Sequence, residues 1–231
     1  MHKVEVWAHR GASGYAPENT LEAFSLAIAQ GADGIELDVH LSADGHAVVI
    51  HDETVDRTSD GLGLVADLPL AALKALGIPS LKETLQLLAP TRLELNIELK
   101  NDCEPYPGLE ECCVELVDRA RMRERVWFSS FNHQSLQRIK SIDASLRCGA
   151  LYSQALCEPR ACARALGIEA LHPRHTTLRG AEAFVAACHA DGLRVHAWTV
   201  NAARTVRMLA RASVDAVITD YPDRVLQALC R

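Results

Sequence analysis

Carboxylates and histidines that could carry out metal or acid–base chemistry follow several short apolar runs of the sequence. Glu36 and Asp38 stand two positions apart in the run at residues 34–39, so both side chains point to one face of an extended strand. Two carboxylates on one face repel each other, and a hard divalent cation with oxygen ligands relieves that repulsion. The pair therefore predicts a cation site, with a solvated strand end or pairing with arginine or lysine as the alternatives.

The segment at residues 93–100 alternates strictly between apolar and polar side chains. Its apolar face can pack on helices, whereas Glu94, Asn96, Glu98 and Lys100 share the face that would point into a closed barrel. Polar groups in such an interior need partners. Glu98 as a third cation ligand and Lys100 as a contact for an anion would supply them, and a buried glutamate–lysine network is the alternative.

His9 and His51 each end a short apolar run. Histidine titrates near neutral pH, so the two residues suit general acid and general base roles, although a single histidine is more often structural. Arg10 follows His9 and can form a bidentate contact with phosphate oxygens. The glycines after Arg10 match neither common nucleotide-binding loop, and the H-x-H and H-E-x-x-H spacings typical of zinc sites do not occur.

Two aromatic residues, Phe131 and Trp198, also fall at predicted strand ends. They either pack in the core or line a pocket around the organic part of a substrate. Tyr15 and His172 are weaker candidates of the same kind.

Alternating strands and helices must position these residues. The predicted strands span residues 4–9, 34–39, 47–51, 93–99, 126–129, 147–151, 169–171, 194–198 and 216–219. The predicted helices span residues 20–30, 81–88, 109–120, 134–141, 160–166, 181–190, 203–212 and 222–229. Such alternation indicates a parallel sheet covered by helices. About eight repeats, with residues 47–51 as an excursion after the second strand, favour a closed α/β barrel of the TIM (β/α)8 type over an open doubly wound sheet.

The length of 231 residues suits one barrel domain over residues 1–231 with a small insertion at about residues 52–79. Asn19 is predicted to cap the first helix, with Glu22 in the capping-box position. Gly31 is predicted to terminate the same helix as a glycine in the left-handed conformation.

The composition restricts the possible partners. A formal net charge of −6 disfavours a nucleic-acid partner. No uncharged stretch approaches the ~18 residues of a membrane span, and no apolar run near residue 1 resembles a signal peptide. We therefore expect a cytoplasmic protein without stable membrane insertion, a monomer or homodimer, whose eight cysteines are reduced.

Blocks of sequence across nearly the whole chain resemble the glycerophosphodiester phosphodiesterases, especially the small bacterial cytosolic type. The blocks are HRGASGYAPENT at 9–20, ELDV at 36–39, HD at 51–52, RT at 57–58, GLG at 61–63, IPSLKE at 78–83, NIELK at 96–100, WTVN at 198–201 and TDYP at 219–222. Each block alone is weakly specific, but the ordered set is highly specific.

The resemblance implies a (β/α)8 barrel with a small insertion after the second strand. It also implies roles for seven residues: general acid and base for His9 and His51, one Mg²⁺ or Ca²⁺ on Glu36, Asp38 and Glu98, and phosphate binding by Arg10 and Lys100. The implied reaction converts a glycerophosphodiester and water into sn-glycerol 3-phosphate and an alcohol such as choline or ethanolamine. Whether water attacks directly or the glycerol hydroxyl first forms a cyclic phosphate stays open.

Two other functions are compatible with the same barrel. A phospholipase D-like enzyme acting on lipids would be expected to carry an export signal, disulfides and an exposed apolar rim. A non-catalytic barrel that only binds a phosphorylated ligand would be expected to lack an acid, a base or a cation ligand. The sequence favours the small-molecule phosphodiesterase over both.

Overall fold

Eight parallel strands close into a barrel in the computed structural model, which describes residues 3–178 and 180–229. The strands are β1 (Glu5–His9), β2 (Gly34–Leu41), β3 (Ala47–Val49), β4 (Glu94–Leu99), β5 (Val126–Ser130), β6 (Arg147–Tyr152), β7 (Ala170–Pro173), β8 (Arg194–Ala197) and β9 (Ala216–Thr219). Around the barrel the order is β1, β2, β4, β5, β6, β7, β8 and β9, and β9 pairs with β1. The structure confirms the predicted TIM barrel and excludes the open doubly wound sheet.

Helices cover the outer surface of the barrel, because the outward-facing residues of the strands are apolar. The helices in the described part of the chain are α1 (Leu21–Ala29), α2 (Leu70–Ala75), α3 (Leu81–Leu88), α4 (Leu109–Arg119), α5 (His133–Ile142), α6 (Pro159–Leu166), α7 (Glu182–Ala190), α8 (Ala203–Arg211) and α9 (Pro222–Leu229). On β4, Leu95, Ile97 and Leu99 are fully buried in the apolar cluster between strands and helices. That burial confirms the predicted outward face of residues 93–100.

The register of the strands brings the inward polar residues of β1, β2 and β4 close together. His9 lies opposite Glu36, and Asp38 lies opposite Glu98. All of them lie towards the carboxyl ends of parallel strands, where barrel enzymes form their active sites.

The excursion after β2 returns the chain to the same end of the barrel. β3 pairs antiparallel with the last residues of β2, and the N–H of Ile50 donates to the carbonyl of Asp38 at 3.1 Å. The strand ends at Val49, two residues before the predicted end, and His51 follows beside Asp38. The insertion contains a 3-10 turn and α2, and a small apolar cluster holds it: Val48, Ile50, Val55, Val65, Leu73 and Ile78.

The predicted cap of α1 is wrong by one residue. Thr20 caps the helix, because its hydroxyl accepts a hydrogen bond from the N–H of Ala23 at 3.2 Å. Asn19 has a φ of 57° and instead donates from Nδ2 to Oδ2 of Asp38 at 2.8 Å. Gly31, with a φ of 78°, follows the helix as predicted.

Paired charges close the amino-terminal end of the barrel. Glu5, Glu94, Arg147 and Arg194 are the first residues of the alternate strands β1, β4, β6 and β8, and we call them the N-terminal layer. Glu5 pairs with Arg194 at 3.0 Å, and Glu94 pairs with Arg147 at 2.8 Å. Such layers of four side chains from alternate strands are typical of this barrel.

Aromatic rings fill the interior between the N-terminal layer and the carboxyl end. Trp7 and Trp127 contact a buried histidine pair, in which Nδ1 of His196 and Nε2 of His172 are 2.9 Å apart. Gly149 accommodates this pair, because a Cβ there would come within 2.2 Å of His172. The interior is therefore a packed core below the site.

The cysteines in the described residues are free thiols. Cys113, Cys148 and Cys188 are buried as apolar filler, while the others described are partly or fully exposed, and Cys230 lies outside the described residues. Among the described helices, none combines the length and the apolar character that a membrane crossing requires.

Candidate active site

Three carboxylates converge at the carboxyl end of the barrel. Glu36 and Asp38 come from β2 and Glu98 comes from β4, and one oxygen of each lies within 4.8 Å of the others. All three residues are buried. We call them the carboxylate cluster. Their convergence follows from the pairing of β2 with β4, which places Asp38 directly opposite Glu98.

Two positively charged side chains contact this cluster without neutralising it. Nε of Arg10 lies 3.3 Å from Oδ2 of Asp38, and the backbone N–H of Arg10 donates to Glu36 at 3.0 Å. Nζ of Lys100 donates to Glu98 at 3.0 Å. Oδ1 of Asp38 is buried and accepts no hydrogen bond from the residues that the structure describes. The buried oxygen and the excess of carboxylates fit a divalent cation with oxygen ligands.

Burial and mutual repulsion perturb the protonation of the cluster. Burial, with the charges of Asp38 and Glu98, raises the pKa of Glu36 well above its usual range. Burial and the charge of Asp38 raise the pKa of Glu98 to about 7. Burial alone would also raise the pKa of Asp38, but Arg10, His51 and Lys100 outweigh it, and that pKa is lowered. Perturbation in opposite directions is typical of a functional site.

An aspartate orients His9. Nδ1 of His9 lies 2.6 Å from Oδ1 of Asp220, at the end of β9. Nδ2 of Asn201 donates to the other oxygen of Asp220 at 2.5 Å, and the hydroxyl of Ser13 donates to Asp220 at 3.2 Å. These hydrogen bonds, with the one from His9, outweigh burial and lower the pKa of Asp220. The carboxylate thus engages Nδ1 of His9 and leaves Nε2 for the pocket.

A second aspartate orients His51 in the same way. Nδ1 of His51 lies 2.6 Å from Oδ1 of Asp52, and Nε2 of His51 lies 3.4 Å from Nζ of Lys100. The Arg57 guanidinium donates to Asp52 at 2.6 Å and holds the pKa of that carboxyl well below its usual range. Asp52 therefore remains charged and fixes the ring of His51.

Ion pairs connect the two sides of the site. Arg57 also donates to Glu18 at 2.6 Å, and Glu18 accepts from Nη1 of Arg10 at 2.8 Å. The insertion thereby holds both Arg57 and His51 against the loop that follows β1. Asp52, Asp220 and Glu18 were not assigned functions from the sequence. The available signals were the adjacency of Asp52 to His51 and the position of Asp220 at a strand end.

Both histidines face one pocket with a cavity volume of about 50 Å³. The pocket is lined by His9, Arg10, Glu36, His51, Asn96, Glu98, Phe131, Leu151, Trp198 and Ile218. The rings of Phe131 and Trp198 meet edge to face with centroids 5.6 Å apart, and Nε1 of Trp198 donates to the carbonyl of His172 at 2.7 Å. The two aromatic residues line the pocket. Their contact with the organic part of a substrate stays a prediction.

The two weaker candidates do not line the pocket. His172 is fully buried beneath it in the pair with His196. Tyr15 is exposed and donates to Asp223, with its ring edge-on to Tyr221. The remaining predicted site residues converge at the carboxyl end of the barrel.

Comparisons with known proteins agree with this geometry. A sequence model of the glycerophosphoryl diester phosphodiesterase family matches residues 9–224. A glycerophosphodiester phosphodiesterase of Caldanaerobacter subterraneus subsp. tengcongensis is 40% identical, with 97% of each chain covered. One of Bacillus altitudinis is 35% identical, also with 97% of each chain covered.

A solved structure is similar over the whole barrel. It is a phosphodiesterase of Oleispira antarctica in complex with the product sn-glycerol-3-phosphate. It is 33% identical, has a TM-score of 0.88, and the match covers 98% of this chain and 97% of that one. This chain therefore belongs to the glycerophosphoryl diester phosphodiesterase family, whose members are phosphoric diester hydrolases.

Proposed function

We propose that this protein hydrolyses glycerophosphodiesters, such as glycerophosphocholine and glycerophosphoethanolamine, to sn-glycerol 3-phosphate and an alcohol. One observation carries the proposal: three carboxylates and two histidines, each histidine held by its own aspartate, meet at one small pocket. The similar Oleispira antarctica phosphodiesterase was solved with sn-glycerol-3-phosphate, which supports the choice of substrate class.

Glu36, Asp38 and Glu98 would hold one divalent cation, Mg²⁺ or Ca²⁺. Their donor set consists of carboxylate oxygens alone, which is what these hard cations prefer. When bound, such a cation supplies a positive charge that polarises a phosphate oxygen and offsets the negative charge of the transition state.

Arg10 and Lys100 would bind the phosphate next to the cluster. Nη2 of Arg10 donates to no residue in the described part of the chain, so it is available to a phosphate oxygen. Glu98 and Asp38 raise the pKa of Lys100 against the effect of burial, so this side chain stays charged. The positive charges of Arg10 and Lys100 would stabilise the negative charge that develops on the equatorial oxygens of phosphorus.

His9 and His51 would move the protons. In the neutral ring, Nδ1–H donates to Asp220 or Asp52, and the lone pair of Nε2 then faces the pocket. One histidine accepts a proton from the attacking hydroxyl, and the other, protonated, donates to the oxygen of the leaving alcohol. The same pair serves direct attack by water and attack by the glycerol hydroxyl.

A coupled assay tests the proposal directly. Purified protein is incubated with glycerophosphocholine, and glycerol 3-phosphate is measured through its dehydrogenase, with Mg²⁺, with Ca²⁺ and after chelation. We expect turnover with at least one cation and its loss after chelation. A flat trace with both cations, alongside tight ligand binding, would favour the non-catalytic barrel. The single-domain organisation, the cytoplasmic location and the monomeric or homodimeric state stay predictions of the sequence.

A further inference from the structure

A buried histidine on β2 contacts the backbone of His51. His40 follows Asp38 by two residues on this strand, so both side chains lie on the same face of β2. The His40 side chain is fully buried, and it is not among the residues that line the catalytic pocket. It can therefore affect the reaction only through the residues that it contacts.

Both ring nitrogens of His40 have partners from other parts of the chain. Nε2 lies 3.0 Å from the carbonyl oxygen of His51, and Nδ1 lies 3.0 Å from the hydroxyl of Tyr106. A carbonyl oxygen only accepts, so Nε2 carries the hydrogen and donates it to His51. In the neutral ring, the lone pair of Nδ1 then accepts from the hydroxyl of Tyr106. The result is a directed chain of hydrogen bonds from Tyr106 through His40 to His51.

The backbone of His51 has little other support. The pairing of β3 with β2 ends with the N–H of Ile50, which donates to the carbonyl of Asp38. Among the described residues, Nε2 of His40 is the one hydrogen-bond partner of the carbonyl of His51. Asp52, which orients the ring of His51, is the next residue of the same loop. It sets the direction of the ring but does not fix the backbone of His51 relative to β2.

Tyr106 fixes the other end of the chain. It is buried in the loop between β4 and α4, whereas Asp102 and Pro105 of the same loop are exposed. Its ring lies edge-on to that of His40, with centroids 5.3 Å apart. Its carbonyl accepts from the N–H of Leu109, the first residue of α4, at 3.1 Å. The phenol therefore holds the imidazole in one orientation from a position that the start of α4 fixes.

We propose that His40 is a positioning residue for His51, and that Tyr106 orients His40 in this role. The proposal rests on the proposed function, because it takes His51 as a group that transfers a proton. A misplacement of about 1 Å in a reacting group can cost about a hundredfold in rate. His40 fixes the backbone of His51 relative to the strand that carries Asp38, and Asp52 then sets the direction of the ring.

Two substitutions at His40 separate positioning from packing. In His40→Gln the amide nitrogen reaches the position of Nε2 and still donates to His51, whereas in His40→Asn the shorter amide reaches only the position of Nδ1. kcat and KM for glycerophosphocholine are measured for both variants, and circular dichroism verifies that they are folded. We expect His40→Asn to lower kcat at least about tenfold with little change of KM, and His40→Gln to keep kcat within about threefold.

His196→Asn is the matched control. His196 is equally buried, but it lies in the packed interior below the site. Its substitution should keep kcat within about twofold, although it also removes a buried histidine. Normal kcat in folded His40→Asn would show that His40 only packs, as His196 does, and would overturn the proposal. Equal losses of kcat in His40→Asn and His40→Gln would overturn it too, since the hydrogen-bond donor would then be irrelevant.

Tyr106→Phe tests the chain from its other end. It removes the hydroxyl and keeps the imidazole, so kcat should fall about threefold, and this variant decides the matter if His40→Asn does not fold. The double variant H40N/Y106F should be no slower than His40→Asn alone, because Tyr106 acts through His40. An unchanged kcat in Tyr106→Phe, or losses that multiply in the double variant, would contradict the proposed chain.

Failure of this proposal and failure of the proposed function give different results. Turnover that is normal in the unaltered protein and in every His40 variant removes only the positioning role. If the unaltered protein does not hydrolyse glycerophosphocholine, the proposed function fails, and nitrogen NMR of the ring of His51 replaces the assay. A signal that shifts in His40→Asn and returns in His40→Gln would support positioning, whereas a signal unchanged in both would refute it.

Discussion

The two ends of the barrel interior differ in how their charges are balanced. In the N-terminal layer, two glutamates meet two arginines, and the indole N–H groups of Trp7 and Trp127 each donate to one of the glutamates at 2.9 Å. In the carboxylate cluster, three carboxylates contact only two positively charged side chains among the described residues, those of Arg10 and Lys100. One buried carboxylate oxygen has no hydrogen-bond partner among the described residues.

The difference separates stability from function along one barrel. Charges that are paired and hydrogen-bonded hold a structure in place, whereas a buried excess of one sign costs free energy until a ligand supplies the opposite charge. β4 shows both cases in one strand, because Glu94 belongs to the N-terminal layer and Glu98 to the carboxylate cluster. Each prediction below tests whether the two ends behave as differently as their charges indicate.

The largest effect is expected at the histidines of the carboxyl end. His9→Asn and His51→Asn should each lower kcat for glycerophosphocholine at least about a thousandfold, because proton transfer loses its donor or acceptor. The free energy of unfolding, measured with urea, should change by less than about 1 kcal/mol, since both side chains are partly exposed at the pocket. Near-normal turnover in either variant would remove that histidine from the mechanism.

Asp220→Asn should have the next largest effect. The amide still occupies the space but cannot hold His9 in the tautomer with a free Nε2 lone pair, so kcat should fall about a hundredfold or more. KM should change little, because Asp220 contacts His9 and is not among the residues that line the pocket. A matched change at the other end, Glu5→Gln, should alter neither quantity. A near-normal kcat in Asp220→Asn would show that the aspartate does not position His9 for catalysis.

The two glutamates of β4 should respond to the same substitution with opposite signs. Glu94→Gln leaves Arg147 without its carboxylate and should lower the free energy of unfolding by about 1 kcal/mol while kcat is kept. Glu98→Gln removes a carboxylate whose pKa is raised to about 7, so at pH 8 the cation-free protein should gain about 1–2 kcal/mol. Glu98→Gln should also abolish turnover. Equal signs in the two stability measurements would refute the separation of the two ends.

The buried histidine pair should make the lower interior sensitive to acid. Burial lowers the pKa of His172 to about 3 and that of His196 well below its ordinary value of 6.5. Between about pH 6.5 and pH 3 the unfolded chain therefore binds protons that the folded chain does not, and stability falls as the pH falls. Each histidine should contribute about 1.4 kcal/mol per pH unit. The free energy of unfolding, measured with urea between pH 7.5 and pH 5.5, should fall less steeply with falling pH in His196→Asn than in the unaltered protein. An identical pH dependence would show that His196 is not held neutral by burial.

Much of the barrel and of the carboxylate cluster could be predicted from residues 93–100 and from the paired carboxylates of β2. A strict alternation fixes which side chains face inward, and parallel strands bring their carboxyl ends to one side of the sheet. The antiparallel return of β3 to the site does not follow from such a pattern, because the register of β3 depends on pairing with β2.

Local sequence also fails to predict the role of a residue whose side chain makes a contact distant in the sequence. Asparagine is a common helix-capping residue, but the side chain of Asn19 donates to Asp38 instead. Thr20 therefore caps the helix. Asp220 meets His9 from the opposite end of the chain, 211 residues away.

Calorimetric titration of Mg²⁺ and Ca²⁺ into the purified protein and into Glu98→Gln tests the central claim most directly. The claim is that the unbalanced charge of the carboxylate cluster is balanced by one divalent cation. We predict one binding site per chain for at least one of the two cations, a loss of that binding in Glu98→Gln, and normal binding in Glu94→Gln. Binding that persists unchanged in Glu98→Gln, or full turnover in the presence of chelator, would contradict the account.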